Sequence, residues 1–203
     1  MLEIFVHRGL LNGIESIVKA VPHYKKLGIG IELDLRMGKN GVYVSHDVID
    51  NGELFEDFCK SFFNSNLRIA LHVKEIKVIE EVVRLLKKYS LENYFLFNTE
   101  NHDLTNISND DKVASYITKR QDKMETKILW CDEISEKWYD QEIISEIHKN
   151  NKILYGMSLE VVKTCNESEI LREWGRLIDL GIDGICTKFP EKLMRFVKEG
   201  DLN

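Results

Sequence analysis

The chain has 203 residues, 43% of them hydrophobic and 31% charged, which is the make-up of an ordinary globular protein and excludes a disordered or fibrous chain. Thirty-four acids against 28 Lys and Arg give a net charge of −6, and no dense basic cluster appears, so a nucleic-acid partner is disfavoured. No apolar run approaches the roughly 18 residues of a membrane span.

The N-terminal "MLEIFVHRG" carries an acid at Glu3 and lacks the long apolar stretch of a secretion signal. Its residues 4–7, "IFVH", read as a first strand that delivers His7 and Arg8 at its end, followed by Gly9. A helix follows, and Pro22 after Val21 predicts a kink or restart within it. Strands are then predicted at 30–35 ("GIELDL"), 69–74 ("IALHVK"), 94–98 ("YFLFN"), 113–117 ("VASYI"), 127–131 ("KILWC"), 152–157 ("KILYGM") and 184–187 ("GICT"). Several are apolar at nearly every position, as parallel strands buried on both faces are. Between them, "VIEEVVRLLKKYS" places Ile79, Val82, Val83 and Leu86 at helical spacing. "EILREWGRLIDLG" does the same with Ile170, Leu171, Trp174, Leu177 and Ile178. Region 99–126 is polar and poor in helix signals. Eight strands alternating with helices predict a single α/β domain over residues 1–203, a compact (β/α)8 TIM barrel near the small end of that fold. The four cysteines (Cys59, Cys131, Cys165 and Cys186) are spread without a C-x-x-C pair and read as free thiols, so the expected location is cytoplasmic.

The most informative stretch is "IELDLRMGKNGVYVSHD", residues 31–47. Side chains two apart on a strand share a face, so Glu32 and Asp34 point one way while Ile31, Leu33 and Leu35 point the other. Two carboxylates on one face of a buried strand repel and lose hydration, so a cation is needed between them. A divalent metal answers that need; so does a pair of Arg or Lys side chains. The tight turn "KNG" returns the chain, and in "VYVSH" Val42, Val44 and His46 share a face, which brings His46 toward the carboxylates. "IALHVK" adds His72 and Lys74, two apart. In a barrel, polar groups at C-terminal strand ends meet on one rim. Acids, imidazoles, a guanidinium and an ammonium gathered there equip a metal-assisted reaction at a phosphate. His23, His102 and His148 read as structural, Asp183 as a turn-fixing acid, Trp130 as core, Tyr155 as a residue lining the pocket, and "NDDK" (109–112) as a solvated loop.

The order "HRG", "GIGIELDLRMGKNGVYVSHD", "ALHVK" and "GIDGICTKFPEKL" resembles the glycerophosphodiester phosphodiesterase family, within the wider group that includes phosphatidylinositol-specific phospholipase C. The resemblance spans nearly the whole chain and itself implies a (β/α)8 barrel. It implies that His7 and His46 are the general acid/base pair, that Arg8 and Lys74 contact the substrate phosphate, and that Glu32 and Asp34 are metal ligands. Two departures stand out. His72 occupies the position of the family's third carboxylate ligand. The usual family insertion after the second strand is reduced to the short piece around "NGELFEDFCKSFFNSN", which leaves the rim open to a bulkier diester. By resemblance the metal is Mg or Ca, yet an imidazole ligand at His72 admits Mn or Zn, and Glu100 or Asp132 is an alternative third acid.

The expected function is therefore metal-dependent hydrolysis of a small-molecule phosphodiester in lipid metabolism. A glycerophosphodiester or similar small diester is expected, cleaved by the two histidines. The alternative is an altered or inactive barrel that binds a phosphorylated ligand or a protein partner, which the loss of the third carboxylate favours. A barrel isomerase or aldolase is disfavoured, because carboxylates around Lys74 tend to raise its pKa rather than lower it.

Overall fold

The computed structural model describes residues 2–11, 16–50, 52–98, 104, 110–134 and 137–200. Glu100 and His102 lie outside the described residues. The chain divides into two compact units, one made of Met1–Val6 with Ile107–Asn203 and the other of His7–Asn106. Strand β1 (Glu3–Val6) ends in a 3-10 turn at His7–Gly9, followed by α1 (Ile17–Leu27), β2 (Gly30–Gly38), β3 (Gly41–Val44), β4 (Glu53–Leu54) and α2 (Phe55–Phe62). Next come β5 (Ile69–Val73), α3 (Ile79–Lys88), β6 (Tyr94–Phe97), β7 (Ala114–Ile117), β8 (Ile128–Cys131) and α4 (Gln141–Lys149). The chain continues with β9 (Ile153–Met157), α5 (Leu159–Val162), α6 (Glu167–Asp179), β10 (Gly184–Thr187) and α7 (Pro190–Gly200). All eight predicted strands are present within a residue or two of the expected bounds, β2 running three residues longer. Among the described residues, no helix is long and apolar enough to cross a membrane.

The unit of residues 7–106 is built on the sheet β4-β3-β2-β5-β6. Strands β2, β5 and β6 run parallel, and β3 and β4 fold back antiparallel. Leu33 and Ile31 face the helix side, where both meet the Gly9 and Ile17 neighbourhood, and Ile31, Leu33 and Leu35 are fully buried. Helix α2 presents Phe55, Phe58 and Phe62 as a stacked row with ring centroids 5.8 and 5.1 Å apart. Helix α1 starts at Ser16, whose side chain accepts the Lys19 N–H, and stops at Gly28 in the left-handed conformation. It runs through Pro22 without a break, so the restart expected there does not occur.

The unit holding β1 and residues 107–203 has an all-parallel sheet in the order β1-β10-β9-β8-β7. Ile117, Leu129, Leu154 and Ile185 pack with Trp174 and Leu177 of α6 in one apolar cluster. Helix α6 is fixed at its start by a reciprocal cap between Asn166 and Glu169, and the Trp174 indole N–H donates to Ser158 Oγ at 2.7 Å. Phe5, Trp130 and Tyr155 meet edge to face, with centroids 5.1–6.2 Å apart. Trp130 is core, as expected. Tyr155 is too: it is buried, and its hydroxyl donates to Glu3 at 3.0 Å, so it does not line a pocket. Asp183 does fix its turn, accepting the Leu154 N–H at 2.7 Å and meeting His148 at 3.0 Å.

Gly184 marks where β1 and β10 approach too closely for a side chain, since a Cβ there would lie 2.7 Å from the Glu3 carbonyl and 2.8 Å from the Tyr155 ring. Gly184→Ala should therefore lower stability by about 1–3 kcal/mol, read as a shift of the urea midpoint at unchanged slope.

Candidate functional site

Six of the residues singled out from the sequence, His7, Arg8, Glu32, Asp34, His72 and Lys74, converge in the unit of residues 7–106, at the C-terminal ends of its parallel strands. Asp34 on β2 and His72 on β5 are register partners on adjacent strands. Glu32 and Asp34 are only 2% and 3% exposed, so both carboxylates have lost nearly all of their water. His72 Nδ1 lies 2.8 Å from Asp34 Oδ1, Lys74 Nζ lies 3.1 Å from the same oxygen, and Arg8 Nε lies 3.4 Å from Oδ2. Glu32 Oε2 accepts the Arg8 backbone N–H at 2.8 Å and lies 3.9 Å from His7 Nε2. The cationic partners that the sequence posed as an alternative to a metal are thus in place, and a donor set for an ion is present beside them.

Backbone geometry sets the entry to this cluster. Arg8 adopts φ 58°, ψ 19°, and Gly9 follows at φ 59°. A non-glycine residue in the left-handed region stores about 1–3 kcal/mol of strain, and such strain collects at functional sites. Gly9 is the residue its position requires, because a Cβ would lie 3.0 Å from Ile17 and 3.2 Å from Leu33. The turn puts the Arg8 N–H on Glu32 and the Arg8 guanidinium on Asp34, so one residue binds both acids.

The two carboxylates are driven apart in charge state. Burial, with Asp34 beside it, pushes Glu32 up to about 8, against the pull of the Arg8 N–H. Burial pushes Asp34 the same way, but the hydrogen bond and charge of His72, with Lys74, hold it well below the usual carboxylate range. Burial also lowers His72, opposed by its bond to Asp34. An ionised Asp34 can only accept, so in the ion-free cluster the proton of this hydrogen bond sits on His72 Nδ1. The ring is held flat against Phe97, its register partner on β6, at 4.7 Å between centroids and 14° between planes.

Glu32, Asp34 and His72 each offer a ligand atom, and these atoms lie within 4.8 Å of one another. Asp34 Oδ2 is buried and accepts no hydrogen bond, which is the kind of oxygen a cation satisfies. The donor set of two carboxylate oxygens and one imidazole nitrogen fits a divalent ion.

His46 departs from expectation. It lies in the loop beyond β3 rather than on the strand face shared by Val42 and Val44, because pairing with β2 stops at Val44. Its side chain is 43% exposed, and its Nδ1 lies 2.9 Å from Asp47. Sequence reasoning missed Arg36 and Glu75. Arg36 Nε and Nη2 both donate to the His46 carbonyl, at 3.0 and 2.8 Å, and Nη1 lies 3.5 Å from Glu75 Oε1. The period-two rule that paired Glu32 with Asp34 also puts Arg36 on their face. Asp132, an alternative third acid, belongs to the other unit, at the end of β8, where burial raises it to about 6 and Tyr116 donates to it.

No family model matches the chain. A curated glycerophosphodiester phosphodiesterase from Caldanaerobacter subterraneus subsp. tengcongensis is 22% identical to it, covering 97% of this chain and 98% of that protein. Among solved structures, a glycerophosphodiester phosphodiesterase from Parabacteroides distasonis aligns over 98% of both chains with a TM-score of 0.73 at 14% identity. Another, from Thermotoga maritima, aligns over 98% of both chains with a TM-score of 0.67 at 19% identity. Fold and cluster together define the class, an α/β protein with the phosphodiesterase fold and an acid–imidazole cluster at its strand ends. Within that class, the ordered motifs and the relative matched end to end agree, and the chain is similar to glycerophosphodiester phosphodiesterases.

The charge states give a stability prediction for the metal-free protein. Glu32 has its folded value raised above the ordinary 4.5, so its stabilising contribution is full below that value and is lost as pH climbs through about 8. Asp34 works in reverse: its contribution is present above the ordinary 3.8 and disappears as pH falls through its depressed value. Melting curves in EDTA from about pH 5 to about pH 9 should show the wild type losing stability as pH rises, with Glu32→Gln flattening that slope.

Proposed function

We propose that this chain is a phosphoric diester hydrolase that cleaves a glycerophosphodiester or similar small diester with the help of a divalent cation. The observation that carries the proposal is the buried Glu32–Asp34–His72 set with His7, Arg8 and Lys74 packed against it. The curated relative of that name, matched end to end, supports it. We also take the two units as one (β/α)8 barrel domain. The alignment with the relative runs to 248 positions on a chain of 203 residues, which suits a compact member with a shortened insertion. Work on a small diester of lipid metabolism in the cytoplasm is the setting proposed.

Arg8 and Lys74 hold the phosphate as guanidinium and ammonium, both delivered directly after an apolar strand. Glu32, Asp34 and His72 would hold a divalent cation, which would supply neutralising charge for the phosphoryl oxygens. His7 and His46 act as the acid/base pair: one takes the proton from the attacking water or neighbouring substrate hydroxyl, and the other protonates the leaving alkoxide. Each transfer contributes about 10²–10⁴-fold. His46 Nδ1 is engaged by Asp47, which leaves Nε2 as the reacting atom. The imidazole of His72 shifts the site from Mg or Ca toward Mn or Zn, since the first pair prefers oxygen.

His7→Ala and His46→Ala should each lower kcat by about 10²-fold or more while leaving the far-UV circular dichroism unchanged, assayed on glycerophosphodiesters and an aryl phosphodiester. A fully active double variant would discard the mechanism. Mn or Zn should raise the melting temperature of the wild type more than Mg or Ca, and Glu32→Gln or Asp34→Asn should remove that rise. His72→Glu should shift the preference toward Mg and Ca.

His72 in the place of the family's third acid also favours a second reading, a barrel that binds a phosphorylated ligand without turning it over. Absence of turnover across the diester panel with every metal, alongside retained metal-dependent phosphate binding, would select it.

A further inference from the structure

His46 poses a structural problem. It lies in a loop, its side chain is substantially exposed, and its ring meets the exposed Asp47 next to it in the chain. A general acid or base must stand within about 2.6–3.2 Å of the atom it serves, and packing around the ring does not supply that precision here.

The backbone supplies it. Arg36 is the next residue toward the strand end on the face of β2 that carries Glu32 and Asp34. Its guanidinium does not point a free fork at the cluster. Two of its N–H groups converge on the single carbonyl of His46, at 3.0 and 2.8 Å. The third nitrogen faces Glu75 Oε1 at 3.5 Å, and Glu75 directly follows Lys74 at the exit of β5; the other Glu75 oxygen meets Lys77 at 2.7 Å. One residue earlier, the Ser45 N–H donates to the Asp34 carbonyl at 3.0 Å. The Arg36 and Glu75 side chains are 18% and 26% exposed, so both are largely withdrawn from water.

We propose that Arg36, oriented by Glu75, is the positioning residue for His46, fixing the loop peptide that aims its ring. This inference rests on the acid/base role given to His46 above. Three of the segments around the cluster, namely β2, the exit of β5 and the loop after β3, are tied by this one guanidinium. A rigid planar fork sets both the position and the tilt of a carbonyl, whereas a lysine in the same place gives a single rotatable head. Removing the fork leaves His46 chemically intact and displaced, and a displacement of about 1 Å costs on the order of 10²-fold in rate.

The test uses the purified full chain with its preferred metal and an aryl phosphodiester. Arg36→Met should lower kcat by about 10- to 100-fold with KM changed by less than about threefold and the melting temperature near that of the wild type. Arg36→Lys should recover part of the loss, and Glu75→Gln should show a smaller loss of the same kind. Because Arg36 acts through His46, R36M/H46A should be no slower than H46A alone. Losses that multiply in the double variant, or a loss confined to KM, would overturn the inference. So would wild-type kcat in Arg36→Met or, should that variant fold poorly, in both Arg36→Lys and Glu75→Gln. An active H46A would overturn the acid/base role and the inference with it; an inactive H46A beside a fully active R36M would overturn the inference alone.

Discussion

Two carboxylates buried side by side on one face of β2 are the constraint around which the site is organised. Like charges a strand repeat apart, stripped of water, are unfavourable unless cations or protons answer them. This structure uses both. The hydrogen bond and charge of His72, with Lys74, hold Asp34 below the usual carboxylate range, while burial pushes Glu32 up toward its protonated form. A divalent cation held by Glu32, Asp34 and His72 would favour the ionised form of Glu32 and would add a second cationic partner, beside Arg8, to an Asp34 Oδ2 that accepts no hydrogen bond.

The fold serves this constraint in a specific way. Parallel strands buried by their apolar faces are stiff, and their register sets Asp34 opposite His72 without any loop taking part. Loops contribute only at the margins. The His7–Gly9 turn is held in a strained left-handed conformation and delivers a backbone donor and a guanidinium to two different acids. The loop after β3 delivers His46 and is gripped by Arg36 rather than by packing. Rigid strands hold the charge cluster, and ties across segments hold what lies beyond the strands.

Much of this was legible in the residues because period-two alternation is a local property. Glu32 with Asp34, and His72 with Lys74, follow from counting along a strand, and the apolar runs give all eight expected strands. Where counting failed, a non-local partner had decided. His46 continues the alternation of Val42 and Val44 on paper, but β3 ends where β2 stops offering it pairing, two residues earlier. Pro22 reads as an interruption, but α1 runs through it. Tyr155 reads as pocket-lining until Glu3, far away in sequence, takes its hydroxyl.

The sequence by itself determined the strand faces, the identity of the acids and imidazoles, and their order along the chain, because each depends only on near neighbours and on residue chemistry. Only the tertiary structure decided in which direction each carboxylate's pKa moves, which nitrogen of His72 faces Asp34, and that Arg36 grips a loop carbonyl. Those outcomes depend on burial and on atoms brought within about 3 Å of each other from distant segments, distances that no one-dimensional pattern contains.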